Sequence, residues 1–174
     1  ENIKYNTNIT DSEIKNIIKL CSLEEFVYSL PEKLNSKIGE GGVKISGGQR
    51  QRIGIARALS MGPDVVLADE CVSALDLSVQ KQVLLLLNKL QKTYNMAIIF
   101  ITHDLRVAAQ VSDYIAVMEK GIIVEFGTAY NVFNKPKHNY TKMLLEAAPG
   151  KDWHPPRLDP EEAAKIAKSL ETIN

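Results

Sequence analysis

Residues 64–70 read DVVLADE, and this stretch decides the fold class that the sequence predicts. Its apolar residues follow one another without the polar alternation of a half-exposed strand, which is typical of a strand buried on both faces of a parallel sheet. A long amphipathic helix follows, and a second apolar run, AIIFI at 97–101, leads to another helix at about 104–112. The order strand, helix, strand, helix predicts an α/β layer with a parallel sheet.

Two helical patterns precede this layer in the chain. Thr10 and Glu13 form a capping-box pattern ahead of one helix, and Ser46 and Gln49 repeat that pattern ahead of another. Because a capping box satisfies backbone donors at the start of a helix, both positions predict where a helix begins.

The chain is therefore expected to have three parts. Residues 1–60 form a small helical subdomain that ends with the second capped helix. Residues 61–127 form the α/β core, which closes with a β-hairpin around Gly121. Residues 128–174 form a C-terminal helical extension, and its last helix spans 159–174.

Charge and hydropathy exclude several classes of protein. Lys and Arg number 21, as do Asp and Glu, so the formal net charge is zero and no basic patch predicts nucleic-acid binding. The apolar runs are far shorter than the roughly 20 residues of a membrane-spanning helix. Two cysteines give neither a disulfide framework nor a metal-ligand spacing, and the polar N-terminus lacks the apolar core of a signal peptide. These features predict a cytoplasmic location.

Two adjacent carboxylates, Asp69 and Glu70, follow the first predicted strand at the carboxyl edge of the sheet, where α/β proteins bind ligands. Asp69 is placed to bind Mg²⁺, directly or through water, and Glu70 to deprotonate a water that attacks phosphorus. His103 follows the second strand and is expected at the same edge, as a sensor of transferred phosphate. A lone histidine is more often structural than catalytic, and that explanation stays open.

The segment Ser46-Gly47-Gly48-Gln49 opens a helix, and two explanations fit it. The capping box alone accounts for Ser46 and Gln49. The two glycines are poor helix formers, each less favourable than alanine by roughly 1 kcal/mol. A bound phosphate would offset that cost, because glycines let an anion approach the N–H groups at the positive end of the helix.

Taken together, these motifs resemble the nucleotide-binding domain of an ABC (ATP-binding cassette) ATPase over nearly the whole chain. ISGGQ at 45–49 is similar to the family signature, VVLADE at 65–70 to its Walker B motif, and SALD at 73–76 to its D-loop. His103 is similar to the switch histidine. The resemblance implies a partial P-loop NTPase-type α/β fold, with a parallel sheet, flanking helices and a small helical subdomain.

The resemblance also implies a function, cofactors and partners. The chain would be part of an ATPase subunit that binds and hydrolyses ATP, with Mg²⁺, to drive the transport of peptides. Its partners would be a second nucleotide-binding domain, whose ATP the signature contacts, and transmembrane permease subunits at the inner face of the cell membrane. Glu70 and His103 would be catalytic, and Asp69 would bind the metal. The residues that contact ATP would be Ser46, Gly47, Gly48, Gln49 and Asp76.

Three features depart from the family pattern. No G-x-x-x-x-G-K-[ST] motif occurs, so we expect roughly the second half of a cassette, inactive by itself. Residues 1–45 resemble the helical subdomain of exporters, whereas the chain from about Gly47 resembles oligopeptide or dipeptide importer ATPases. This predicts a chimera, with natural mosaicism as the alternative. Cys71 stands where such importers usually have proline, and we interpret it as a packing change rather than a reactive thiol.

Two further functions stay open. A non-transport ABC ATPase acting on DNA or ribosomes would be expected to show a basic face or long coiled-coil insertions, and the sequence has neither. The other is a fragment or recombinant that folds but has a structural rather than a catalytic role.

Overall fold

The computed structural model describes residue 3, residues 9–38 and residues 43–148. The chain forms two compact units, Glu1–Ile101 and Thr102–Asn174. Within the described ranges, no helix has both the length and the apolar character that crossing a bilayer requires.

The first unit opens with helices whose starts are fixed by local hydrogen bonds. α1 (Asp11–Leu20) is capped by Thr10, whose hydroxyl accepts the N–H of Glu13, while the Glu13 carboxylate accepts the N–H of Thr10. α2 (Glu24–Ser29) and α3 (Gly47–Leu59) follow, and α1 packs against α3. Apolar side chains from these helices and their connections form a core, which includes Ile14, Ile17, Ile18, Cys21, Leu23, Ile53 and Leu59.

The same unit contains the predicted strand–helix–strand arrangement. It consists of β1 (Val65–Asp69), α4 (Leu77–Tyr94) and β2 (Ala97–Ile101). The two strands pair in parallel, with Asp69 opposite Ile101. A parallel pair flanked by helices, together with the helical subdomain, confirms the α/β class that the sequence predicts.

The prediction that β1 is buried on both faces is wrong. Val65 and Leu67 are 54% and 62% exposed, and Ile99 and Ile101 on β2 are exposed as well. Alternate residues of a strand share one face of the sheet, so these side chains form one apolar face. Ala68, on the opposite face, is buried. A continuous apolar run indicates that a strand can be buried on two faces. Burial also needs another element that covers each face. Among the described residues, no element covers this one.

The second unit is a β-hairpin with short helices before and after it. Its elements are α5 (Leu105–Val111), β3 (Tyr114–Glu119), β4 (Ile122–Thr128), α6 (Ala129–Asn134) and α7 (Asn139–Ala147). β3 and β4 are antiparallel, and the turn residues Lys120 and Gly121 have φ angles of 50° and 82°. Positive φ at both positions is what a two-residue type I′ turn requires, so the predicted hairpin is confirmed.

Helix α6 packs against both strands of this hairpin, and Val117, Val132 and Phe133 are buried. On the hairpin, the rings of Tyr114 and Phe126 stack with their centroids 6.0 Å apart. The helix expected at 159–174 lies outside the described residues.

Candidate functional site

The Ser46–Gln49 segment forms a complete capping box at the start of α3. The Ser46 hydroxyl accepts the backbone N–H of Gln49 at 3.1 Å, and the Gln49 side-chain oxygen accepts the N–H of Ser46 at 2.9 Å. Both side chains are thus engaged with the helix itself. Gly47 and Gly48 occupy the first two helical positions, whose N–H groups have no intrahelical acceptor and lie at the positive end of the helix dipole.

The two glycines also have a packing role that the sequence did not predict. A β-carbon built on Gly47 would lie 3.2 Å from Leu75 Cδ2, and one built on Gly48 would lie 2.8 Å from Val79 Cγ1. Side-chain carbons in contact normally stay about 3.5–4.0 Å apart, so the start of α3 approaches α4 too closely for any larger residue at position 48. Close packing of the helices is therefore an explanation for glycine here that needs no bound phosphate.

Asp76 caps α4. One of its carboxylate oxygens accepts the N–H groups of Ser78 at 3.1 Å and of Val79 at 3.0 Å, and also the Ser78 hydroxyl at 2.7 Å. The hydrogen bond from the Ser78 side chain, followed by that from the Val79 backbone, lowers the pKa of Asp76. The carboxylate is therefore charged at neutral pH, and its local structural role is to start this helix.

Asp69 and Glu70 lie where β1 ends. Asp69 is exposed, whereas the Oε2 atom of Glu70 is buried. Glu70 has a φ of 46°, in the left-handed region that non-glycine residues seldom adopt. Its backbone is held on both sides, because its N–H donates to the carbonyl of Ile101 at 3.0 Å and its carbonyl accepts the hydroxyl of Ser73 at 2.9 Å. Such backbone strain is found most often at functional sites.

Cys71 follows directly after this strained residue. Burial raises the pKa of the Cys71 thiol, and the neighbouring Glu70 carboxylate raises it further. The thiol is therefore protonated and a weak nucleophile at neutral pH, which supports the interpretation of Cys71 as a packing residue.

The structure brings together only part of the predicted site. The glycine contacts join the start of α3 to the segment 75–79, which contains Asp76. Asp69 and Glu70 belong to the same unit, whereas His103 belongs to the second unit. Within the described residues, no group of three or more His, Cys, Asp and Glu side chains is arranged to hold a metal ion. The roles assigned to these residues from the sequence stay predictions.

Two sequence families match separate parts of the chain. Residues 1–73, which include the capping box of α3 and the strained Glu70, match the family described as ABC transporter. The chain therefore resembles the ABC transporter family. Residues 124–171 match the oligopeptide/dipeptide transporter C-terminal region. The resemblance to oligopeptide importer ATPases is thereby confirmed, and the chain carries both matches in the expected order.

Curated relatives agree with this assignment. The chain is 53% identical over 123 residues to the oligopeptide transport ATP-binding protein AmiF of Streptococcus pneumoniae serotype 4, covering 71% of this chain and 39% of that protein. It is 47% identical over 145 residues to the oligopeptide transport ATP-binding protein OppF of Streptococcus pyogenes serotype M1, covering 83% of this chain and 46% of that protein. The chain thus spans less than half the length of these relatives.

The comparisons give no support to a chimeric joint in this chain. One match to the ABC transporter family covers residues 1–73, on both sides of the expected seam near Gly47.

Proposed function

We propose that this chain is part of the ATP-binding subunit of an oligopeptide ABC importer, which binds and hydrolyses ATP to drive uptake. The observation that carries the proposal is the presence, on one chain, of an ABC transporter match and an oligopeptide/dipeptide transporter C-terminal match. The relatives AmiF and OppF, both named as oligopeptide transport ATP-binding proteins, support the same substrate class.

The start of α3 is the proposed phosphate-binding element. The N–H groups of Gly47 and Gly48 lie in the first turn of a 13-residue helix, and backbone donors combined with the helix dipole favour an anion there. Ser46 and Gln49 keep this turn in place through the capping box and, with Asp76, are the further residues proposed to contact ATP.

The carboxyl end of β1 is the proposed catalytic element. Asp69 is exposed, so its carboxylate is accessible to Mg²⁺, a cation that prefers carboxylate and phosphate oxygens. When bound, Mg²⁺ offsets negative charge on the phosphate oxygens. Glu70 is proposed to orient the attacking water and accept its proton, and its strained, doubly hydrogen-bonded backbone supports a fixed position for the carboxylate. His103 is proposed as the residue that senses the transferred phosphate.

The proposed partners follow from the family. A second nucleotide-binding domain would supply the ATP that the start of α3 contacts, and transmembrane permease subunits would hold the protein at the inner face of the cell membrane. Nucleic acid is not proposed as a partner, because the formal net charge is zero.

ATP hydrolysis by the complete subunit that contains this chain tests the proposal. Steady-state phosphate release with Mg²⁺ and ATP should fall by about a hundredfold or more in Glu70→Gln, which keeps the shape of the side chain but removes the base. Glu119→Gln is the matched control and should leave turnover unchanged. Unaltered turnover in Glu70→Gln would contradict the proposed catalytic role. The 174 residues alone, which contain no G-x-x-x-x-G-K-[ST] motif, are expected to release no phosphate above background.

A further inference from the structure

We propose that Val79 is a positioning residue, which seats the first turn of α3 against the first turn of α4. In this role it sets the distance between two segments that are proposed to contact ATP, the capping box at 46–49 and the capped turn at Asp76. The consequence for catalysis rests on the proposed function, whereas the packing role does not depend on it.

The contact between Val79 and Gly48 leaves no room for adjustment. A β-carbon at position 48 would come within 2.8 Å of Val79 Cγ1. Valine in a helix has one strongly preferred side-chain rotamer, because both of its γ-carbons are crowded by the preceding turn. Rotation of the side chain is therefore unfavourable, and a residue larger than glycine at position 48 is expected to push the helices apart.

Two hydrogen bonds support this arrangement, one within α4 and one between the helices. The Asp76 carboxylate accepts the N–H of Val79 at 3.0 Å, so the cap fixes the backbone that carries the valine. One turn along α4, Gln82 accepts a hydrogen bond from the guanidinium of Arg52 on α3 at 2.6 Å. The Arg52–Gln82 bond thus links the two helices beside the Val79–Gly48 contact, and α3 cannot move away from α4 there without loosening it.

This arrangement competes with another explanation of Gly48, in which glycine is needed only because a phosphate approaches the bare backbone. The two explanations differ in one respect. If Val79 is the reason for glycine, shortening Val79 should make alanine acceptable at position 48. If the phosphate is the reason, alanine at position 48 should impair ATP use whatever residue stands at position 79.

Thermal unfolding of the 174-residue chain tests the packing role. Gly48→Ala should lower the folding equilibrium constant about tenfold or more, because it overpacks the contact between the helices. In a Val79→Ala background the same change should be neutral or stabilising, because alanine is a better helix former than glycine. Gly54→Ala is the matched control in the same helix, where no atom lies within 4 Å of an added β-carbon, and it should not destabilise. An equal loss from Gly48→Ala in both backgrounds would overturn the proposal.

The positioning role is tested by ATP hydrolysis in the complete subunit. We expect Gly48→Ala to lower kcat/KM for ATP by about tenfold or more, and Val79→Ala to restore most of that loss in the double variant. A double variant that regains stability but stays as slow as Gly48→Ala would overturn the positioning role while leaving the proposed function intact. If the unaltered subunit shows no Mg²⁺-dependent ATP turnover, the proposed function fails, and the unfolding series alone decides the packing role of Val79.

Discussion

Glu125 on β4 accepts the backbone N–H of His138 at 3.0 Å, immediately before α7 begins. Its other carboxylate oxygen accepts the N–H of Lys137 at 2.9 Å. The Glu125 carboxylate thereby connects the two residues that precede α7 to the hairpin. Both residues of the first pair lie in the part that matches the oligopeptide/dipeptide transporter C-terminal region. Glu125 is therefore expected to stabilise this region at neutral pH and to lose that effect in acid.

Replacement of this carboxylate should weaken the second unit and change its response to pH. Burial raises the pKa of Glu125, but the nearby Thr141 hydroxyl and the backbone hydrogen bonds from Lys137 and His138 outweigh that effect and hold the pKa below its ordinary value. Because the folded pKa is lowered, the stabilisation is present above the unfolded pKa of about 4.3 and is lost as the pH falls through the folded value.

Glu125→Gln should accordingly lower the free energy of unfolding by about 1 kcal/mol at pH 7, a figure already reduced for solvent screening. The difference between the two proteins should shrink as the pH is lowered below 4. Chemical denaturation at a series of pH values measures this, with Glu119→Gln on the same hairpin as control. A difference that stays constant from pH 7 to pH 3 would show that the charge is not responsible.

The capping box of α3 should contribute measurably to stability without any ligand. Ser46→Ala removes the acceptor for the Gln49 N–H, and the loss of an N-cap costs about 1 kcal/mol. Ser46→Thr keeps a hydroxyl at the same position, so its free energy of unfolding should fall by only a few tenths of the decrease expected for Ser46→Ala. Urea unfolding of both variants in the absence of ATP distinguishes this helix-capping role from any role in ATP binding. Equal stability of the alanine and threonine variants would contradict it.

The turn of the hairpin is expected to respond to substitution in opposite directions at its two positions. Lys120 has a φ of 50°, and Lys120→Asn gives the Asn-Gly pair that type I′ turns prefer, so it should stabilise the protein by about 0.5–1 kcal/mol. Gly121→Ala places a β-carbon at a φ of 82° and should destabilise by about 1 kcal/mol or more. Thermal unfolding measures both effects. If Lys120→Asn destabilised the protein, a contact of the lysine side chain would have to contribute more stability than the Asn-Gly turn gains.

Cys21 is expected to be unreactive in the folded protein. Its side chain is fully buried, and burial raises the pKa of the thiol to about 12. The pKa of the Cys21 thiol is raised in the folded protein. Its contribution to the free energy of unfolding is therefore fully present below the thiol pKa of the unfolded chain, about 8.5, and is lost progressively as the pH rises above that value.

A thiol-specific reagent at pH 8 should therefore modify Cys71 before Cys21, and Cys21 only at the rate of unfolding, because a buried protonated thiol is a poor nucleophile. Peptide mapping by mass spectrometry after timed labelling gives the order. Cys71→Ser provides a protein in which any rapid labelling must come from Cys21. Rapid labelling of that variant would mean that the first unit opens readily.

The features that the sequence predicts correctly are those that depend on neighbouring residues in the chain. The capping boxes at Thr10 and Ser46 and the hairpin turn at Gly121 all form as expected, because each is decided by side chains within a few positions. The parallel strand order also follows from the periodicity of the chain.

The features that the sequence does not predict depend on distances between separate elements. The exposure of Leu67 follows from which elements cover the sheet, and an apolar run carries no information about them. The need for glycine at position 48 follows from how closely α3 approaches α4, which the sequence of α3 alone does not contain. The sequence predicts the long amphipathic helix that contains Val79, but it does not identify the residue that Val79 packs against.

The left-handed backbone of Glu70 has a consequence for laboratory evolution of this protein. A non-glycine residue in that conformation costs about 1–2 kcal/mol, which glycine would avoid. A library selected only for thermal resistance would therefore tend to replace the glutamate, and the selected proteins would have lost the group proposed to activate water. Directed evolution of a more robust subunit would have to score ATP turnover in every round, because at this position greater stability and catalysis favour different residues.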